Sequence, residues 1–237
     1  MKNSKLRRIV MLLACAVLLV SLSVGATLAY LTSTTGTVKN TFTVGSVNIK
    51  LDEAKVDEYG KPEGSTRTTT GNAYKLLPGH TYTKDPTVTV ESGSEKCYVR
   101  IQVTVDQLDS LKAAFPQTIY PTYYAGDVFL LQNLVNGWDN KTWLFNSFSG
   151  STYEFWYKDV VDAGKAEVKL DALFDSITIP GEVSEKQLAH MDKVDINIVA
   201  HAIQADGFNA AADAWAQWGK TNTTVTGPAV DTPAENQ

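Results

Sequence analysis

Strict two-residue alternation is the feature that most limits how this chain can fold. From Cys97 to Asp106, Val99, Ile101, Val103 and Val105 alternate with Arg100, Gln102, Thr104 and Asp106. Successive side chains of a strand point to opposite faces, so this pattern makes one face apolar and the other wet. Val194, Ile196 and Ile198 repeat it against Asp195 and Asn197, continuing through Ala200 and Ala202. Tyr153, Phe155 and Tyr157 alternate with Glu154, Trp156 and Lys158 in a third strand with two occupied faces. Thr87 to Glu91, opened by Pro86, and Lys165 to Leu170 are shorter strand candidates. Phe42 and Val44 lie on one parity, and Val47, Ile49 and Leu51 on the other. The slip at Gly45-Ser46 marks a β-bulge. Leu77-Pro78-Gly79-His80 reads as a turn, since proline presets φ and glycine accepts a positive φ next to it.

Helical signals are fewer. Gln107 to Phe115 predicts a short helix stopped by Pro116, and Asp127 to Asn136 another ending near Gly137. Near the end, Asp206 can cap a helix whose Phe208, Ala211, Ala212 and Trp215 follow the i, i+3, i+4, i+7 stripe, closed by Gly219. That stripe predicts a helix packed on the sandwich edge. Lys55 to Asn72 is rich in charge, Gly, Ser and Thr, and predicts a long exposed excursion between strands. Together these signals predict a mainly β fold, an antiparallel β-sandwich with a few short helices.

The N-terminus has a separate logic. Lys2, Lys5, Arg7 and Arg8 precede the apolar run Ile9 to Val20, and Thr27-Leu28-Ala29 places small residues at −3 and −1 of a cut before Tyr30. This is the pattern of a secretory signal peptide, residues 1–29, with cleavage between Ala29 and Tyr30. The competing reading is a retained anchor, because the uncharged stretch Ile9 to Leu31 is long enough to span a bilayer; Ser21, Ser23, Gly25 and Thr27 weaken its second half. A lipoprotein reading at Cys15 is poorer, with few apolar residues before it and Leu13 in place of a smaller one. The domains expected are the signal at 1–29, an extended arm at 30–40, a β-sandwich at 41–219 and a disordered tail at 220–237, which has the polar composition of such tails. The tail holds no LPxTG-like sorting motif.

Charge and cysteine usage narrow the class. The first 29 residues hold four basic and no acidic groups, leaving 17 Lys and Arg against 26 Asp and Glu, a net charge near −9. Nucleic acid and anionic membrane surfaces reward a basic face, so neither is the expected partner. Only Cys97 remains after the signal, so no internal disulfide can form, which suits a bacterial surface protein better than a small eukaryotic secreted domain. Cys97 shares the parity of the buried valines and reads as inert packing.

No specific catalytic constellation is present. His80, His190 and His201 form no HExxH pair, and there is no GxSxG elbow, phosphate loop or CxxC. Asp52, Glu53, Asp57 and Glu58 cluster without matching a calcium loop; a solvated acidic loop is the expectation, weak calcium binding the alternative. The chain reads as no enzyme, with no catalytic residue, no metal ligand and no cofactor.

Four segments in order carry a family resemblance: GATLAYLTSTT at the signal's end, NTFTVGSVNIKLDE, YKLLPGHTYTKDPTVTVESGSEKCYVRIQVTV, and IQADGFNAAADAWAQW. In this order they resemble the TasA/camelysin family, exported with a signal peptide read by a SipW-type signal peptidase. The resemblance implies a jelly-roll-like sandwich and a biofilm matrix or cell-surface role, secreted from a Gram-positive-type bacterium. It implies partners too: other copies of the chain joined head to tail into fibres, the SipW-type peptidase during export, and other matrix proteins. Joining would use donor-strand exchange by the arm, with Tyr30, Leu31, Thr32, Thr34, Thr37 and Val38 as its residues; a frayed linker or an intramolecular edge strand is the competing reading of that stretch. The family also supplies a rival, a camelysin-like cell-surface metallopeptidase, for which this chain lacks the zinc-binding helix. A monomeric surface binding module is the third reading.

Overall fold

The computed structural model describes residues 32–34, 46–124 and 129–219. The signal segment, the cut between Ala29 and Tyr30, arm residues Leu31, Thr37 and Val38, the slip at Gly45 and the tail from residue 220 lie outside the described residues. Residues 31–216 belong to one compact unit.

The alternating segments become antiparallel strands. In chain order they are β1 (Thr32–Thr34), β2 (Ile49–Val56), β3 (Pro62–Thr68), β4 (Thr81–Thr83), β5 (Thr87–Val90), β6 (Cys97–Val105), β7 (Val135–Asn136), β8 (Trp143–Ser149), β9 (Thr152–Tyr157), β10 (Val168–Lys169), β11 (Ser176–Thr178) and β12 (Ile196–Gln204). A five-stranded sheet has the order β1-β12-β6-β9-β8, a four-stranded sheet β10-β5-β2-β3, and a small third sheet β4-β11-β7. The protein is mainly β, with every named pairing antiparallel and only short helices between strands. Strands far apart in sequence are neighbours, as β6 and β12 are, so the chain crosses between sheets instead of meandering.

One core joins the two larger sheets. Cys97, Val99, Ile101, Val103 and Val105 of β6 are all fully buried, with Ala200 and Ala202 of β12, Val88 and Val90 of β5, and Phe155 of β9. Full burial of each valine or isoleucine contributes about 1.5–3 kcal/mol, which is why this face sets the register. Cys97 packs as expected, and burial pushes its thiol up to about 12. The Leu77–His80 turn forms, His80 N–H donating to Leu77 O, with Gly79 at φ 74°.

Four expectations change. The stretch 55–72 is not simply an exposed excursion: β2 runs on to Val56 and pairs with β3 in a hairpin. β3 escapes a period-two reading because it is an edge strand, polar on both faces, with its proline at the first position where no ladder hydrogen bond is lost. The acidic cluster is a solvated loop only in its second half: Asp52 and Glu53 lie within β2, 5 % and 6 % exposed, while Asp57 and Glu58 sit in the turn that follows it, with Glu58 exposed. The last helix spans only Ala211–Trp215, because Asp206-Gly207 forms a turn with Gly207 at φ 86°, leaving Phe208 outside it. The second helix is Phe129–Asn133, followed by β7. The helix at 107–115 appears as Leu108–Ala114. Among the described residues, no helix is long and apolar enough to cross a membrane.

Candidate functional site

β12 carries the site. On one side it pairs with β6 along its whole length, Ile196 opposite Val105 through Gln204 opposite Cys97. On the other it pairs with β1 through three residues only: Thr32 opposite Ile203, Ser33 opposite Ala202 and Thr34 opposite His201. Thr32 and Thr34, two of the residues expected in the arm, thus sit as an edge strand on this sheet. Among the described residues no strand pairs with 196–199 on that side.

The Ile196 end of the edge borders a groove. A cavity of about 210 Å³ lies between Ile196–Ile198, residues 51–53 of β2, the Thr-rich rim 68–71, and Lys84 and Pro86. Its polar walls are held by two ion-pair clusters. Asp52 takes Lys50 Nζ at 2.6 Å and Arg67 Nε on its carboxylate. Arg67 also reaches Asp85 Oδ2 at 2.7 Å and donates to the backbone oxygens of Asp52 and Asp85. Burial pushes the Asp52 carboxyl up, but hydrogen bonds and charge from Lys50 and Arg67 outweigh it and hold the group below the usual carboxylate range. Beside it, Glu53 Oε2 takes Lys84 Nζ at 2.7 Å and Oε1 accepts from Asn72 Nδ2 at 2.9 Å. A buried charge is tolerated only when paired this way.

A second polar network covers the outer face of the five-stranded sheet. Glu154 accepts four side-chain hydrogen bonds: from Arg100 Nη1 at 3.1 Å, Gln102 Nε2 at 2.8 Å, Asn146 Nδ2 at 2.9 Å and Trp156 Nε1 at 2.7 Å. Arg100 stacks on the Trp215 ring at 4.5 Å, and its Nε donates to His201 Nδ1 at 3.3 Å. Burial, and then the adjacent Arg100 charge, push the His201 imidazole down to about 4, with Glu154 acting the other way.

The histidines are dispersed. His80 sits at the turn, bonded to Tyr59 O at 2.8 Å, His190 is exposed in the single-turn helix Ala189–Lys193, and His201 is in β12. Among the described residues no group of three or more His, Cys, Asp or Glu is placed to hold a metal ion. Asp57 orders a turn, its Oδ1 accepting from the Tyr59 and Lys61 amides. Sequence reading missed Arg67, Asn72, Lys84, Arg100 and Glu154 as a set. A signal existed for Arg100 and Glu154, which occupy outward positions of two strands with the same alternation; none existed for Asn72 and Lys84, which a turn and a short strand separate.

Residues 17–121 match a family model described as a "-like, N-terminal domain", a stretch covering less than half of the chain. No curated protein and no solved structure matches the chain.

Proposed function

We propose that this is an exported structural protein of the bacterial cell surface or biofilm matrix, whose copies join head to tail when the N-terminal arm of one adds a strand to the β12 edge of the next. The observation that carries this reading is the pairing of Thr32–Thr34 with 201–203 of the chain's own β12. A strand held by three residues through main-chain bonds is easily exchanged for the same strand of a neighbour, because the contacts are identical and only loop entropy differs. The adjoining groove, with its threonine rim, extends the surface along which an arm of the composition YLTSTTGTVKN can lie. Signal cleavage before Tyr30 would free the arm, which couples assembly to export by a SipW-type peptidase.

The same pairing, made within one chain, favours a second reading, a monomeric surface module with a closed edge. Size-exclusion chromatography and negative-stain microscopy of residues 30–237 separate them. Assembly predicts concentration-dependent polymers that vanish when 30–40 is deleted; a particle that stays monomeric at high concentration contradicts it.

A further inference from the structure

Among the described residues, Asp52 takes Arg67 and the exposed amine of Lys50, and Glu154 takes guanidinium, indole and amide donors. Glu53 differs in that its amine partner is itself buried. Its two oxygens hold an amine, Lys84 Nζ at 2.7 Å, and a carboxamide, Asn72 Nδ2 at 2.9 Å. Both charged members are buried, Glu53 6 % and Lys84 7 % exposed. The carboxamide is fixed in orientation: Nδ2 also donates to Ala54 O at 2.9 Å, and Oδ1 accepts from the Val56 amide at 3.0 Å. Tyr74 adds to the enclosure, with its hydroxyl donating to Thr83 O and its phenol pushed up by burial and then by the charge of Glu53. The bonds from Asn72 to Ala54 and Val56 bridge the register shift between β2 and β3, which accounts for an asparagine at 72. They do not account for a buried lysine on the same carboxylate.

We infer that Lys84 and Asn72 form an intramolecular isopeptide bond, with Glu53 carrying the proton. Attack requires the amine without its extra proton, and the carboxylate at 2.7 Å is its acceptor. Nζ adds to Cγ of Asn72, and the Val56 N–H faces the oxygen on which negative charge develops. Glu53 Oε1 returns a proton to Nδ2, collapse breaks the Cγ–Nδ2 bond, and the remaining extra proton on Nζ passes through Glu53 to the freed ammonia, which leaves as ammonium through the groove that Glu53 and Lys84 line. One C–N bond forms and one breaks, nothing is oxidised or reduced, and Glu53 ends as it began; starting from the lysine ammonium, the leaving group departs as ammonium. The product closes residues 72–84, including their turn and β4, into a covalent loop, while Glu53 of β2 stays uncrosslinked beside it.

Intact-mass spectrometry of the folded, secreted chain tests this. The expected mass is lower than the sequence mass by about 17 Da, the loss of one ammonia, and proteolysis should release one branched peptide containing both Lys84 and Asn72. Glu53→Gln and Lys84→Arg should each restore the full mass. A full mass in wild-type protein whose circular dichroism shows a folded sheet overturns the inference. So does the same loss persisting in Lys84→Arg, which would place a succinimide at Asn72. If Glu53→Gln fails to fold, the wild-type mass and the branched peptide decide alone.

Discussion

The five-stranded sheet has two edges, and they are closed in different ways. At β8 the edge is blunted by its own residues: the Phe145 amide donates to Asn140 Oδ1 at 2.8 Å, the Trp143 amide to Asp139 O at 3.0 Å, and the register shifts between Phe145 and Ser147. A bulge and a side-chain cap leave an incoming strand no regular ladder to join. At β12 the edge is covered instead by β1, a three-residue strand near the chain's N-terminus. One edge is shut by groups that cannot leave; the other is covered by a three-residue strand which, under the proposed assembly, is traded between copies. Growth in a single direction needs such an asymmetry, because two open edges of one sheet would permit indiscriminate stacking.

Breaking the link between the two edges should have the largest effect. Glu154 ties β6, β8 and β9 through Arg100, Gln102, Asn146 and Trp156, so Glu154→Ala strips the buried Arg100 of its carboxylate. Denaturant unfolding should show a loss of about 3–5 kcal/mol, the usual result of removing one member of a buried pair. Next comes acid. His201 is driven to about 4 from its ordinary 6.5, so the folded state binds fewer protons than the unfolded one in that window. Stability is therefore full above pH 6.5, falls as the pH drops toward 4, and is level with respect to this group below it. The loss is on the order of 3 kcal/mol. A pH series of unfolding curves should flatten in His201→Gln, whose amide oxygen can still accept from Arg100 Nε. The smallest effect belongs to the blunted edge: Asn140→Ala should cost about 1 kcal/mol for one uncapped amide and raise self-association through β8, visible by light scattering.

The strands with the strictest alternation, β6, β9 and β12, were legible in sequence because one buried face leaves a period of two. The hairpin β2–β3 was not. Its buried positions at 52 and 53 hold acids neutralised by Arg67 and Lys84, partners that local sequence does not announce, and β3 buries neither face. The terminal helix was overextended because Phe208 fits the helical stripe while Gly207 at φ 86° turns the chain before it. Of the candidate site, composition and position pointed to an extended stretch at 30–40, of which residues 32–34 form an edge strand within the chain. The edge it rests on could not be read, since pairing 32–34 with 201–203 is a contact across most of the chain. The Glu53, Lys84 and Asn72 cluster was illegible for the same reason on a smaller scale: three residues on separate segments meet only when the hairpin and the following turn have formed.

The central claim is that the β12 edge accepts an arm from outside its own chain. Isothermal titration of a peptide of residues 30–40 into protein lacking those residues measures this directly. The account predicts saturable one-to-one binding, accompanied by protection of the 196–204 amides from hydrogen exchange. No binding to an arm-deleted protein that remains folded, or binding without protection at β12, would contradict it.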